Sequence, residues 1–236
     1  MQHSELMASP EALHPSLWRA SQLAHGATRC VDTGFAALSA QLPGGGWPTG
    51  SLVELLVQQP GSGELRLLAP ALAQLKGLPV VLLQPPHPPQ ALALAAQGLS
   101  PSQLLWLKTD NSKDALWAAE NILRSGSCGA LLFWQGHVRA DSLRRLHLAA
   151  QGGNTLFCLL RPLRGAHDAS PAPLRLSLRP AAGGIHIGFV KRRGPQRDAP
   201  LFLPLQPPSL LLRHATLDRP VPAPAPARSV LPELVG

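Results

Sequence analysis

Little in this chain supports a disulfide framework or a metal site. Its three cysteines, Cys30, Cys128 and Cys158, stand far apart with no C-x-x-C or C-x-x-H spacing, so they are expected to be ordinary buried thiols. Nine histidines are scattered without an H-E-x-x-H or comparable arrangement, and no metal or other cofactor is expected. No apolar run approaches the roughly 18 residues that span a bilayer, because charges, prolines and glycines interrupt every stretch. The first twenty residues, MQHSELMASPEALHPSLWRA, carry acids early and lack a basic start followed by an apolar block, unlike a secretory signal. A cytoplasmic location with no membrane partner is the expectation.

Acids are also scarce where an NTPase would need them. None lies between Glu64 and Asp110, and the apolar run 129–134, GALLFW, is followed by Gln135 and Gly136 with no carboxylate before Asp141. Phosphoryl transfer needs one strand-end acid to hold magnesium and another group to orient water. Ser62 sits in G-S-G rather than G-x-S-x-G, which excludes a nucleophile elbow, and His137 is a lone loop histidine. No catalytic residue is assigned, and the chain is expected not to be an enzyme.

What is present is a core's worth of apolar residues, 45% of 236, enough for one substantial domain. The apolar segments alternate between strand and helix type: strand 51–57, helix 64–76 interrupted by Pro70, strand 78–84, helix 90–99, strand 103–107, helix 111–126, strand 129–134, a helix around 140–150 and strand 154–160. In 111–126, Asn111 or Ser112 supplies the cap and Gly126 the stop. This βα order predicts an α/β fold with a mostly parallel sheet. From 172 onward the pattern changes to period two, with strands 172–180 and 184–194 joined by a Gly183-Gly184 turn and a third at 201–205, an antiparallel C-terminal extension. Residues 1–30 form an N-terminal extension with a helix over 11–25, residues 31–206 the main domain, and residues 207–236 a proline-rich tail. Trp18 and Trp117 are candidate anchors, although tryptophan at helical spacing is more often core.

The strand 51–57 leads into VQQPGSGELRL, which has the placement of a phosphate-binding loop entering a helix. In G-x-x-x-x-G-K-[ST] the glycines admit backbone N–H groups to phosphate, the lysine meets its charge and the hydroxyl holds magnesium. Gly61, Ser62 and Gly63 keep the character of the loop, but Gln58 replaces the first glycine, Glu64 the lysine and Leu65 the hydroxyl. A carboxylate about 4 Å from a phosphate charge is repelled by roughly 4 kcal/mol at an effective dielectric near 20. The segment therefore resembles a nucleotide site that has lost its nucleotide; the plain alternative is an acid in a helix's first turn, which the helix dipole favours.

Charge is uneven: −2 up to residue 120 and +10 beyond it. The second half suits an anionic partner, nucleic acid or an acidic protein face, or it is simply a solvated basic surface.

Several strings together resemble the ImuA family. They are DTGFAALSAQLPGGGWPTGSLVELL, GSGELRLLAPALAQL, PPHPPQALALAAQGL, ALWAAENILRSGSCGALLFW, LRRLHLAAQGGNTLFCLLRP, SPAPLRLSL and VKRRG, within residues 15–205. Members of that family are RecA-like, SulA-related accessory proteins of bacterial mutagenic translesion synthesis. The resemblance implies a RecA-like core that does not act as a recombinase and a place in the DNA-damage (SOS) response. The partners it implies are an ImuB-like Y-family protein and an error-prone DnaE-type polymerase, with RecA as a further one. It makes Glu64 typical of the pattern. It also sets Lys191, Arg192 and Arg193 where RecA-like strands carry lysines toward a neighbouring subunit's nucleotide, and residues 161–170 where RecA has its second DNA-binding loop. On that basis Arg161, Arg164 and the KRRG cluster are expected to form one surface for an anionic partner such as single-stranded DNA, with Glu64 filling the vacated phosphate nest. A SulA-like inhibitor of FtsZ-dependent division is the alternative function.

Overall fold

The structure is a computed structural model that describes residues 29–194 and 199–205. The expected helix at 11–25, Trp18 and the proline-rich tail lie outside the described residues.

A short two-stranded antiparallel ribbon comes first, β1 (Cys30–Asp32) against β2 (Gly46–Pro48), with helix α1 (Ala36–Ser39) between them. The main sheet then alternates with helices. Its elements are β3 (Ser51–Val57), α2 (Glu64–Leu72), β4 (Val80–Leu83), α3 (Ala91–Ala95), β5 (Leu104–Leu107), α4 (Ser112–Ser125), β6 (Ala130–Trp134), α5 (Ala140–Gln151), β7 (Leu156–Pro162), β8 (Leu174–Ala181), β9 (Gly184–Lys191) and β10 (Leu201–Pro204). They form one eight-stranded sheet in the order β10-β9-β8-β3-β7-β6-β4-β5. The expected α/β fold with a mostly parallel sheet is what the chain adopts. β8, expected with the antiparallel strands, pairs parallel with β3, so only β9 and β10 are antiparallel. The β8–β9 hairpin closes through Ala182 and Gly183, one residue earlier than expected, with Ala181 paired to Gly184 and Gly183 at φ 72°.

β3 lies inside the sheet with helices or loops on both faces, which explains its nearly continuous apolar sequence. Val53, Leu55 and Val57 join Leu67, Leu68 and Leu72 of α2 in one core layer; Leu52 joins the layer beneath α4 and α5, with Phe157, Leu143 and Leu146. The α4 caps match expectation: the Asn111 side chain accepts the Asp114 N–H at 2.9 Å, and Gly126 ends the helix at φ 60°. Helix α2 accommodates Pro70 and stops at Leu72 rather than running kinked to 76, as the chain beyond Ala73 tightens into Gln74 and Leu75 bonds to the carbonyls of Ala71 and Leu72. Pro70 rests on Gly34, where a Cβ would lie 2.2 Å from the proline Cβ.

The connection leaving β3 crosses toward β4, whereas that leaving β7 crosses back over β3 to β8. Neighbouring strands whose connections run in opposite directions open a crevice at their carboxyl ends, the usual ligand position in such sheets.

Candidate functional site

The loop after β3 borders that crevice. Gly61 (φ 81°) and Gly63 (φ 104°) adopt left-handed backbone, and Gly63 caps α2. A Cβ at Gly63 would also meet the Leu205 side chain at 3.1 Å, and Arg66 Nη1 donates to the Leu205 carbonyl at 3.2 Å, so the loop is held against the end of β10. Ser62 Oγ donates to the Gln59 carbonyl at 2.5 Å and is spent within the loop. Leu65 packs on the core, and the Gln58 N–H donates to the Leu178 carbonyl at 3.1 Å.

Glu64 turns back into the loop. Its Oε1 accepts the Gly61 N–H at 2.8 Å, while the side chain is 3% exposed. That backbone donor is thus occupied by the protein's own carboxylate. Its other oxygen, Oε2, is buried without a hydrogen-bond partner.

Two other strands of the parallel sheet, β4 and β6, end in amides instead of acids. Gln84, after β4 and at φ 55°, donates from Nε2 to the carbonyl and hydroxyl of Thr109, at 2.8 and 2.9 Å. Gln135, after β6, donates to Ser112 Oγ at 2.9 Å. Both side chains tie loops together, and neither presents an anion toward the Glu64 loop.

The basic residues do not form the single surface expected of them. Arg161 is 1% exposed: Nη1 bonds Glu54 Oε1 at 3.2 Å and Nη2 bonds Asp168 Oδ2 at 2.5 Å. The other Glu54 oxygen receives Arg175 Nε at 2.5 Å, and Arg175 also donates to the carbonyls of Gly165 and Ala166 at 2.6 and 3.2 Å. The segment 161–170 is therefore the cover of a buried ion cluster rather than an open loop. Arg164 remains exposed at the carboxyl-end crevice, beside Gln58, Gln59 and Pro60 in a cavity of about 390 Å³. Lys191, Arg192 and Arg193 lie at the opposite, amino end of the parallel strands, because β9 runs antiparallel to β8 and pairs Lys191 with Arg175. There Lys191 Nζ donates to the Ser170 carbonyl at 3.1 Å. Arg192 stacks 5.0 Å from the Phe189 ring centre and donates to the Gln41 carbonyl, and Arg193 is exposed.

Arg193, Arg29 and His147 line a cleft of about 440 Å³ at that end, with Ser51 and Asn154. His147 Nδ1 accepts the Leu52 N–H at 3.3 Å, and burial first, then the charges of Lys191 and Arg193, hold its pKa below 6.5. A group with a depressed folded pKa stabilises the fold above its unfolded value, and that contribution is lost as pH falls from about 6.5 through the folded pKa. The Arg193→Ala variant is expected to raise the His147 pKa toward 6.5, measured from imidazole NMR shifts. An unchanged titration would show that the charge is fully screened.

Cys128 and Cys158 are buried free thiols, and Cys30 is half-buried with its Sγ 3.8 Å from the Pro43 carbonyl oxygen. Burial pushes each thiol upward, against nucleophilic use. Trp117 is 68% exposed, so α4 presents it to solvent rather than to the core. Among the described residues no group of three His, Cys, Asp or Glu side chains is placed to hold a metal ion, and no helix is long and apolar enough to cross a membrane.

The ion cluster escaped sequence reading, although an acid within the apolar run SLVELLV was its one visible signal. Three buried polar atoms without partners, Glu64 Oε2, Gln97 Oε1 and Trp134 Nε1, also went unseen, and all belong to side chains around one cavity beside the loop.

No protein-family model matches the chain. Over 87 residues it is 31% identical to the cell division inhibitor SulA of Edwardsiella piscicida, an alignment covering 37% of this chain and 52% of that protein. The chain thus spans about half the length of the curated relative it matches.

Proposed function

We propose that this chain is a non-enzymatic, RecA-like accessory protein of the SOS-induced mutagenic translesion synthesis complex, bridging an ImuB-like Y-family protein and an error-prone DnaE-type polymerase. The observation that carries the non-enzymatic part is Glu64 bonded to the Gly61 N–H inside its own phosphate-type loop. A site that supplies its own anion has no place for a triphosphate, and the strand ends beside it lack the acids that magnesium needs. The family resemblance supports the bridging role, and the similarity to SulA is consistent with a damage-response setting. RecA and single-stranded DNA are further partners under this proposal. The basic amino-end cleft with Arg29, Lys191 and Arg193 close by is the surface offered to DNA, and Arg164 lies apart from it.

The similarity to SulA also favours a second function, inhibition of FtsZ-dependent division. Affinity capture with the full chain as bait, against an ImuB-like protein and FtsZ in parallel, separates the two. Retention of the ImuB-like protein is expected; retention of FtsZ alone would reverse the order.

A further inference from the structure

We infer that the cavity beside Glu64 receives a cationic side chain, arginine or lysine, from a partner polypeptide. The cavity measures about 210 Å³ and opens among the Glu64 loop, the Pro86–Pro89 segment after β4, α3 and the end of β6. Three polar atoms buried without partners belong to its lining side chains: the acceptors Glu64 Oε2 and Gln97 Oε1 and the donor Trp134 Nε1. Buried polar atoms are nearly always paired in folded proteins, and three of the six unpaired ones among the described side chains gather around this one cavity. Gln97 Nε2 donates to the Ala93 carbonyl at 3.2 Å, which orients the amide and leaves its oxygen unused.

The set dictates the ligand. A buried carboxylate oxygen is satisfied best by a charged donor, and arginine and lysine carry several donors and no acceptor. Gln97 Oε1 takes a second N–H from the same head group. The Trp134 indole N–H needs an acceptor, which the main-chain carbonyl of the segment carrying that side chain supplies. Pro86, Pro88, Pro89 and Leu94 give the aliphatic stem an apolar wall. A nucleotide fits poorly, since its phosphates meet Glu64 and the Gly61 N–H is already taken. The inference goes beyond the accessory-protein proposal, and it stands or falls on Trp134 whichever partner the capture experiment retains.

The test uses the full chain with ¹⁵N-labelled tryptophan, the Trp134 indole signal being assigned from the Trp134→Phe variant. The probes are N-acetyl-arginine N-methylamide, its neutral citrulline counterpart, and guanosine. A saturable shift of the Trp134 signal with the arginine probe is expected. Binding about tenfold or more weaker is expected with the citrulline probe, and also with the arginine probe in Glu64→Gln, whose amide oxygen still accepts the Gly61 N–H and preserves the loop. Equal binding of the arginine and citrulline probes would overturn the cationic assignment. A response to guanosine alone would make the cavity a nucleobase site, and silence toward all three would leave it to water.

Discussion

Replacing Glu54 by Gln is expected to destabilise the fold by about 3 to 5 kcal/mol, because it strands two buried guanidinium groups without their anion. Glu54 is fully buried, Arg161 and Arg175 are 1% and 6% exposed, and both reach the same carboxylate from β7 and β8 on either side of β3. Asp168 supplies the second negative charge but is 48% exposed at its side chain, so solvent shares it and it compensates little of the loss. With a domain of this size, the shift in thermal midpoint is roughly 10 °C, read from calorimetric or denaturant melts. The deficit should change little with added salt, since the pair is screened from solvent. A companion variant, Glu54→Leu with Arg161→Met and Arg175→Met, removes all three buried charges. It is expected to recover most of the lost stability, as apolar replacement of a whole buried ion set does elsewhere. A Glu54→Gln protein as stable as the parent would show that the cluster contributes nothing and that β3 does not depend on it.

Reversing the charge at position 64 should have the largest effect on ligand preference. The parent chain is expected to bind no magnesium–ATP at millimolar nucleotide in calorimetry and to release no phosphate from it. In Glu64→Lys combined with Leu65→Thr, a repulsion of roughly 4 kcal/mol at about 4 Å becomes an attraction of similar size, and the Gly61 N–H is released. Affinity for the triphosphate should rise by at least about a hundredfold, the excess over that being absorbed by burying the lysine. Glu64→Gln should fall between parent and double variant. None of them should turn ATP over, because Gln84 and Gln135 occupy the strand ends where magnesium and water would need carboxylates. ATP hydrolysis by the parent chain, abolished by altering residue 64, would sink both the prediction and the non-enzymatic proposal.

Much of the fold was legible because each strand between helices is a short apolar run and each helix has a periodic face. The α4 boundaries were read closely because Asn111 and Gly126 are local signals whose effect depends on nothing distant. The end of α2 was misplaced because the change to tighter bonds three residues back, beyond Ala73, has no local signal in the sequence. Glu64 stood out as a charge of the wrong sign in a loop of recognisable shape. The grouping of Arg161, Arg164 and the KRRG cluster failed because sequence distance says nothing about which end of a sheet a residue reaches. The antiparallel turn of β9 carried three of those residues to the opposite end, and the acid of β3 drew Arg161 inward.

By itself the amino-acid sequence determined the alternation of strands and helices, the caps of α4 and the placing of an acid at position 64 in the loop after β3, all of which follow from neighbours within a few positions. Only the tertiary structure decided which basic side chains meet solvent and which meet Glu54, and that Glu64, Gln97 and Trp134 come together in the lining of one cavity. Burial and pairing across the sheet depend on strand order and direction, and these are set by the packing of the whole chain rather than by any local stretch of it.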